Sequence, residues 1–280
     1  MRHMNVIITG ANSGIGKATA QEIGRRGAHV TIACRSITRG EEAKQQLLAE
    51  VPHGRFSVMY CDLNDLESVQ QFAKAYQKKH ASLDRLINNA GVVTLQRETT
   101  AQGFEKMLGV NHLGHFLLTQ SLLPMMINVD SARVINLSSG AYKWGAFDPQ
   151  DPHLDHSFSI MKAYGRSKLA NLWFTMRLAE RLKHTRANTV AVHPGAVSTS
   201  LGVNRDTGFG KGVHQVLRPF FSTAEQGAET SVFLAETDDI VNGGYYYKMK
   251  RRPVKQALAS DQREAERFWQ WSKQMIEIYT

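Results

Sequence analysis

Short apolar runs alternate with longer amphipathic stretches along the whole chain. The apolar runs are typical of buried strands, and helical periodicity fills most of the stretches between them. Because strands that alternate with helices form parallel sheets covered on both faces, the pattern predicts a three-layer α/β fold of Rossmann type with about seven strands. Strands are predicted at 5–9, 29–33, 56–60, 85–87, 133–137, 189–192 and 245–247, and helices at 17–26, 38–50, 66–79, 102–126, 164–183 and about 261–278.

Neither a repeat nor a linker interrupts this alternation, so residues 1–280 are predicted to form a single domain. The apolar run that opens the chain is too short for a signal peptide or a membrane span, which predicts a cytoplasmic protein without a membrane span. Cys34 and Cys61 follow strands that are expected to be neighbours. Reduced structural thiols are the preferred interpretation, with a close approach of the two left open. The apolar side chains of the last helix are expected to pack on the body, a dimer contact or a membrane-touching face being the alternatives.

The net charge of +9 permits attraction to nucleic acid, anionic lipid or a phosphorylated cofactor. The positive residues are spread along the chain, and no groove-reading motif accompanies them, so no nucleic-acid partner is expected. The one dense cluster, at 248–252, is interpreted as a solvated segment, with contact to a membrane surface or a substrate anion as the alternative.

A glycine-rich loop follows the first strand. Gly10, Gly14 and Gly16 have the spacing Gly-x-x-x-Gly-x-Gly, and a helix is predicted directly after them. Glycines let the backbone turn tightly and approach a pyrophosphate, whose charge is favoured at a helix N-terminus. A glycine-rich turn can also be purely structural, but the preceding strand and the following helix favour a dinucleotide site.

The second strand is followed by Arg35 and Ser36, where an acidic residue would hold a ribose 2′-hydroxyl. An arginine there accommodates a 2′-phosphate instead and can pair with it at two points. The sequence therefore predicts NADP(H) rather than NAD(H), with Ser36 as a second phosphate contact.

Tyr164 and Lys168 are four residues apart on a predicted helix, so they project from one face. An ammonium beside a phenol favours the phenolate, and the pKa of Tyr164 is therefore expected to fall from about 10 toward neutrality. A phenol of that acidity can donate or accept a proton in catalysis.

These motifs together give the chain a resemblance to the short-chain dehydrogenase/reductase family over nearly its whole length, most closely to its retinol-dehydrogenase-type branch. The matching segments are 9–16, 62–63, 88–91, 111, 138–139, 164–168 and 194–195. The resemblance implies a catalytic tetrad of Asn111, Ser139, Tyr164 and Lys168. It also implies a cofactor site formed by Gly10, Asn12, Ser13, Gly14, Ile15, Gly16, Arg35, Ser36, Asp62, Leu63, Asn89, Ala90, Gly91, Tyr164, Lys168, Pro194, Gly195, Val197 and Thr199.

Within this tetrad, Ser139 is expected to polarise a substrate carbonyl and Tyr164 to exchange its proton. The resemblance also implies that Lys168 bonds the nicotinamide ribose and that Asn111 holds a water that joins Lys168 to solvent. The serine pair is ambiguous, and Ser139 is chosen over Ser138 because family members usually act with the second. Subunit pairing through the two long helices, as a homodimer or homotetramer, is the oligomeric state that the resemblance suggests.

Two segments are expected to select the substrate. Aromatic and apolar side chains between residues 141 and 158 can build a pocket, although core packing explains some of them. Four glycines in the segment of about 200–222 suggest a mobile lid. The predicted reaction interconverts an alcohol with an aldehyde or ketone on a lipophilic small molecule. A catalytically silent NADP(H)-sensing binding protein is the alternative.

Histidines stand three residues apart at 112 and 115 and again at 153 and 156. A zinc site needs convergent ligands with a supporting shell, and the first pair falls inside a predicted helix. Structural or solvent-facing histidines are therefore expected, and no metal.

Overall fold

The computed structural model describes residues 1–195 and 223–280. In this part of the chain, eight strands form one sheet in the order β3-β2-β1-β4-β5-β6-β7-β8, parallel except for the last pair. The Rossmann-type prediction is confirmed, with one strand more than the seven expected. The strands are β1 (Asn5–Thr9), β2 (His29–Cys34), β3 (Arg55–Tyr60), β4 (Arg85–Asn88), β5 (Arg133–Leu137), β6 (Asn188–His193), β7 (Tyr245–Tyr247) and β8 (Lys250–Arg252).

Helices cover both faces of the sheet. They are α1 (Gly14–Arg25), α2 (Ile37–Glu50), α3 (Leu66–Lys79), α4 (Lys106–Leu108), α5 (Gly114–Leu122), α6 (Ile160–Arg181), α7 (Ala224–Glu236), α8 (Ala257–Ser260) and α9 (Gln262–Ile276). Three 3₁₀ turns, at Leu123–Met125, Gly140–Trp144 and Glu277–Tyr279, and one π-turn, at Gly109–Leu113, complete the described elements. None of these helices combines the length and the apolarity needed to cross a bilayer.

The central strands are apolar on both sides because each face of the sheet carries its own core. Ile7 packs in one core cluster, whereas its neighbours Val6 and Ile8 pack in the other, as the period of two in a strand requires. Cys34 and Cys61 are free thiols and belong to these two different clusters. The alternation therefore separates the two sulfur atoms on opposite faces of the sheet.

The additional strand, β8, lies in the basic cluster that the sequence analysis interpreted as a solvated segment. Lys250, Arg251 and Arg252 are all exposed, and they pair antiparallel with β7 through a tight turn at Lys248 and Met249. Both turn residues have positive φ, 51° and 58°. A charged outer strand discourages edge-to-edge pairing with another sheet, so β8 closes this edge.

The helix predicted over 102–126 is instead divided into four short elements. α4 leads into a π-turn at Gly109–Leu113, which is followed by α5 and a 3₁₀ turn that contains Pro124. A π-turn inserts one extra residue into a helix without ending it, and the apolar pattern on either side remains helical. The sequence pattern therefore predicted one continuous helix. The π-turn contains Asn111 and places it beside α6.

The last helix, α9, begins after the capping carboxylate of Asp261 and packs across α6. Phe268, Trp269 and Ile276 are buried, and Trp269 contacts Phe116 edge-on. The expectation that this helix packs on the body is confirmed.

Candidate active site

A cleft of about 990 Å³ opens at the carboxyl ends of the central parallel strands. In a doubly wound sheet, this edge is where ligands bind, because neighbouring crossovers leave the sheet in opposite directions there. The glycine loop forms one wall of the cleft, and Tyr164 and Lys168 from α6 lie at its other end. The ends of β2, β3 and β4 line the space between them.

The glycine loop has the conformation that its residues predict. Gly10 and Gly14 have φ of 66° and 54°, and α1 begins at Gly14. The N-cap residue, Ser13, makes no side-chain bond to the helix, so backbone N–H groups at this terminus remain available to a ligand. A Cβ on Gly16 would lie 2.6 Å from the carbonyl oxygen of Gly10, which leaves no room for any other residue.

The segment after β4 lies against this loop. Asn89 donates from its side chain to the carbonyl oxygen of Thr9 at 2.7 Å, and the backbone N–H groups of Asn89 and Ala90 both donate to the Thr9 hydroxyl at 2.9 Å. Asn89, Ala90 and Gly91 line the cleft, and Asn89 also fixes the separation of β1 and β4. Their contact with a cofactor stays a prediction. Asp62 and Leu63 line the same cleft at the end of β3.

Two arginines stand where β2 ends. Arg35 is exposed, and Ser36 caps α2 by accepting a hydrogen bond from the backbone N–H of Arg39 at 3.4 Å. Arg39 also lines the cleft, one helical turn beyond the cap, and sequence reasoning missed it. The sequence did contain a signal for Arg39. A helix capped by Ser36 has Arg39 as its third residue, in the first turn and close to the cap.

Lys168 is buried beside Tyr164, and its Nζ lies 5.5 Å from the centroid of the phenol ring. The ammonium donates to the carbonyl oxygen of Leu137 at 3.2 Å. Burial lowers the pKa of Lys168 from 10.5 to about 8, because no opposite charge compensates for the lost hydration.

The pKa of Tyr164 departs from the expected direction. Burial raises it above its ordinary value, and a side-chain hydrogen bond with Ser139 opposes that rise only in part. The expectation that Lys168 makes the phenol acidic is thus wrong in direction, because desolvation of the phenolate has the larger effect on the pKa of Tyr164.

The neighbouring serines Ser138 and Ser139 make different contacts. Ser138 is buried, and its hydroxyl donates to the carbonyl oxygen of Lys168 at 2.8 Å, which commits it to holding β5 against α6. Ser139 caps the following 3₁₀ turn and faces Tyr164. This arrangement favours Ser139 as the residue that acts with Tyr164.

Asn111 is completely buried, and its amide is engaged by protein groups on both sides. Its Oδ1 accepts from the Val92 N–H at 2.7 Å, and its Nδ2 donates to the Val92 carbonyl at 3.1 Å and to the Ser167 hydroxyl at 3.0 Å. These contacts brace the π-turn against α6 and against the cleft wall. The role of Asn111 in holding a water stays a prediction.

The histidines near Asn111 have structural partners. His115 bonds the Thr9 hydroxyl at 2.8 Å and the Asn111 carbonyl at 3.1 Å, whereas His112 bonds the Ser272 hydroxyl at 2.9 Å. Burial lowers the pKa of His115 to about 4 and the pKa of His112 to about 3. No group of three or more metal-ligand side chains was found within residues 1–195 and 223–280.

The aromatic pocket predicted between 141 and 158 is only partly present. Tyr142 packs on Tyr245, and Phe147 packs on Phe268 of α9, so both belong to the core. Leu154 and Phe158 do lie in a small apolar cluster with Val93 and Tyr164. The segment at 92–96 forms part of the cleft wall and was missed by sequence reasoning.

The turn after β6 carries the last described site residues. Pro194 lines the cleft, and Gly195 has a φ of 92° and donates its N–H to Nδ1 of His193. Val197, Thr199 and the predicted lid at 200–222 lie outside the described residues.

Comparison with known proteins agrees with this geometry. A family model for short chain dehydrogenases matches residues 4–208. Retinol dehydrogenase 12 from Mus musculus is 41% identical over 275 residues, covering 98% of this chain and 86% of that protein. A crystal structure of an uncharacterized protein from Mycobacterium paratuberculosis has a TM-score of 0.80 at 34% identity, with 99% of this chain and 94% of that chain covered. RhlG from Pseudomonas aeruginosa, solved as an NADP complex, has a TM-score of 0.70 at 25% identity, with 88% and 94% covered.

Proposed function

The chain belongs to the short-chain dehydrogenase family of oxidoreductases, which act on alcohols and carbonyls with a nicotinamide cofactor, and we propose that it uses NADP(H) on a lipophilic alcohol, aldehyde or ketone. The observation that supports this proposal is that one cleft has the glycine loop on one side and Tyr164 and Lys168 at its other end, where Ser139 is a hydrogen-bond partner of Tyr164.

The dimensions of the cleft suit a dinucleotide. Close packing at Gly10 and Gly16 leaves a backbone cradle at the N-terminus of α1, where a pyrophosphate is stabilised by N–H groups and the helix dipole. From this cradle, the cleft extends in one direction to Arg35 and in the other to Lys168. The bound nicotinamide would supply or accept the hydride.

The choice of NADP(H) rests on the charges at the adenosine end. Arg35, Ser36 and Arg39 line the cleft at the end of β2, where two guanidinium groups and a hydroxyl can surround a 2′-phosphate. No carboxylate follows β2 directly to accept a bond from a 2′-hydroxyl. RhlG, solved with NADP, provides a structural precedent at 25% identity.

The chemistry of the other end follows from three side chains. Ser139 donates a hydrogen bond to the substrate oxygen and polarises the carbonyl. Tyr164 gives that oxygen its proton in reduction and removes it in oxidation. Lys168 places its ammonium near the phenol, so that the phenolate left after proton transfer has a cation within reach.

A lipophilic substrate is favoured by the wall beside Tyr164. Val92 and Val93 line the cleft there, and Leu154 and Phe158 pack in the same apolar cluster as Tyr164. Apolar side chains of this kind bind an uncharged, apolar molecule by excluding water. The similarity to retinol dehydrogenases agrees with a hydrophobic alcohol or aldehyde as the substrate class.

Replacement of the phenol hydroxyl tests the proposal. Tyr164→Phe should reduce the turnover of NADPH with a panel of lipophilic aldehydes by about 10²–10⁴-fold, since this is the usual contribution of a positioned acid. Tyr76→Phe is the matched control, because Tyr76 is buried in α3 and its hydroxyl has no hydrogen-bond partner. Equal turnover in Tyr164→Phe and wild type would remove Tyr164 from the chemistry. Tight NADPH binding by a wild type that turns over no carbonyl or alcohol would favour the sensing alternative instead.

A further inference from the structure

A buried ion pair lies directly behind the catalytic face of α6. The Arg166 Nη2 lies 3.0 Å from the Glu105 Oε2, and the two side chains are 1% and 0% exposed. Arg166 is two residues from both Tyr164 and Lys168, so it points away from the cleft that they face. The proposed reaction makes no direct use of this pair.

Glu105 fixes the beginning of the segment that carries Asn111. Its carboxylate accepts from the backbone N–H groups of Met107 at 2.8 Å and Leu108 at 2.9 Å, which caps α4. α4 continues without a break into the π-turn. The position of Glu105 therefore sets where the π-turn begins relative to α6.

Arg166 also connects α6 to the segment 152–154. Its Nη1 donates to the carbonyl oxygen of Pro152, and the backbone N–H of Glu105 donates to Nδ1 of His153 at 3.4 Å. The next residue of this segment, Leu154, packs in the apolar cluster that includes Tyr164. One guanidinium thus joins α6, the α4 cap and a segment that packs beside Tyr164.

The pair is poorly suited to a purely stabilising role. A buried ion pair loses the hydration of both charges, and apolar side chains of similar volume often replace it without loss of stability. Arg166 also keeps a buried Nε that has no hydrogen-bond partner among residues 1–195 and 223–280. What apolar side chains could not reproduce is the directional link among three segments.

We propose that Glu105 and Arg166 are positioning residues, which set the Tyr164–Lys168 face of α6 against the π-turn of Asn111 and the segment 152–154. This inference rests on the proposed function. It predicts that loss of the pair impairs the chemical step much more than it weakens cofactor binding, because the glycine loop and Arg35, which would hold the rest of the cofactor, belong to other elements.

The test uses a double variant, Glu105→Gln with Arg166→Gln, which leaves no buried charge unpaired. Its kcat should fall by about 100-fold, the usual result of displacing reacting groups by about 1 Å, whereas the Kd for NADPH should rise by less than about tenfold. Arg166→Lys retains the charge opposite Glu105 but loses the contact to Pro152, so its kcat should fall by only about tenfold. This conservative variant carries the test if the double variant does not fold.

Arg85→Lys is the control for removal of a buried guanidinium. Arg85 is 1% exposed and donates to the carbonyl oxygen of Ala235 at the end of α7, remote from the cleft. Its kcat should match that of wild type. Wild-type kcat in both Arg166 variants, or an equal loss in Arg85→Lys, would overturn the inference.

Hydrogen exchange provides a readout that does not depend on activity. The amides of Met107 and Leu108 should exchange faster in the double variant, as should those of 150–158, whereas amides of the glycine loop should keep their wild-type rates. Unchanged exchange at Met107 and Leu108 would overturn the inference, whatever the outcome of the Tyr164→Phe experiment.

Discussion

The backbone packs tightly against Gly165, the residue after the proposed catalytic tyrosine, and this contact gives a prediction with a calculable size. A Cβ at Gly165 would lie 2.9 Å from the carbonyl oxygen of Ala141 and 2.9 Å from the backbone nitrogen of Gly145. Ala141 lies in the 3₁₀ turn that Ser139 caps, and Gly145 ends that turn. An ordinary contact needs about 3.4 Å, so Gly165→Ala should move α6 away from this segment by about 0.5 Å.

This displacement separates Tyr164 from Ser139. Since an error of about 1 Å in placing reacting groups can cost about 100-fold, a shift of half that size should lower kcat by about tenfold. Overpacking costs about 1–3 kcal/mol and the greater helix propensity of alanine returns about 1 kcal/mol, so the free energy of unfolding should fall by only about 0–2 kcal/mol. Steady-state kinetics with saturating NADPH and urea denaturation measure the two effects.

Gly24→Ala is the matched control, because its Cβ would press on the ring of Phe56 in the opposite core, far from Tyr164. It should destabilise the protein by overpacking and leave kcat unchanged. A wild-type kcat in Gly165→Ala, or a tenfold loss in Gly24→Ala, would refute the reasoning.

Three further predictions concern the cofactor, the buried amine and the last helix. Arg35→Ser should raise the Kd for NADPH by about 10–150-fold, since a hydrogen bond to a charged group contributes about 1.5–3 kcal/mol, and calorimetric titration should show no change for NADH. In the cofactor-free protein, Lys168→Met should increase the free energy of unfolding at pH 7 by at most about 3 kcal/mol, because the pKa of Lys168 is lowered from 10.5 to about 8. That penalty is complete below pH 8 and is relieved as the pH rises toward 10.5, so urea denaturation at pH 10 should show a smaller gain. Trp269→Ala should cost about 3–5 kcal/mol by thermal denaturation, because the indole is 3% exposed and packs on Phe116; a loss below 1 kcal/mol would contradict its assignment to the core.

Strands β1, β2, β4, β5 and β6 could be predicted because each contains a buried apolar run, as expected of central parallel strands. β3 lies at the edge of the sheet and is only partly buried, and its β-rich composition predicted it. β8 could not be predicted, since Lys250–Arg252 contains no apolar side chain and becomes a strand only by pairing with β7. The π-turn was hidden for a similar reason. Its geometry is supported by the contacts of Asn111 with Val92 and Ser167, which are distant in sequence and leave no mark on helical periodicity.

In the candidate site as well, residue spacing predicted which side chains are neighbours but not how their surroundings shift their pKa values. A separation of four residues does bring Lys168 beside Tyr164, with Nζ 5.5 Å from the ring centroid, and this followed from the sequence alone. The direction of the pKa shift did not, because it depends on burial, which the pair shares with most of α6.

The two burial effects give a prediction for the pH dependence of the proposed reaction. Desolvation raises the pKa of Tyr164 and lowers that of Lys168, so both shifts favour the uncharged side chains. In the proposed mechanism, the protonated phenol donates a proton to a carbonyl oxygen in reduction, whereas alcohol oxidation needs the phenolate as its base. We therefore predict that carbonyl reduction proceeds near pH 7 and that the rate of alcohol oxidation increases as the pH rises. An oxidation rate that exceeds reduction at pH 7 and falls with increasing pH would contradict this assignment of the proton.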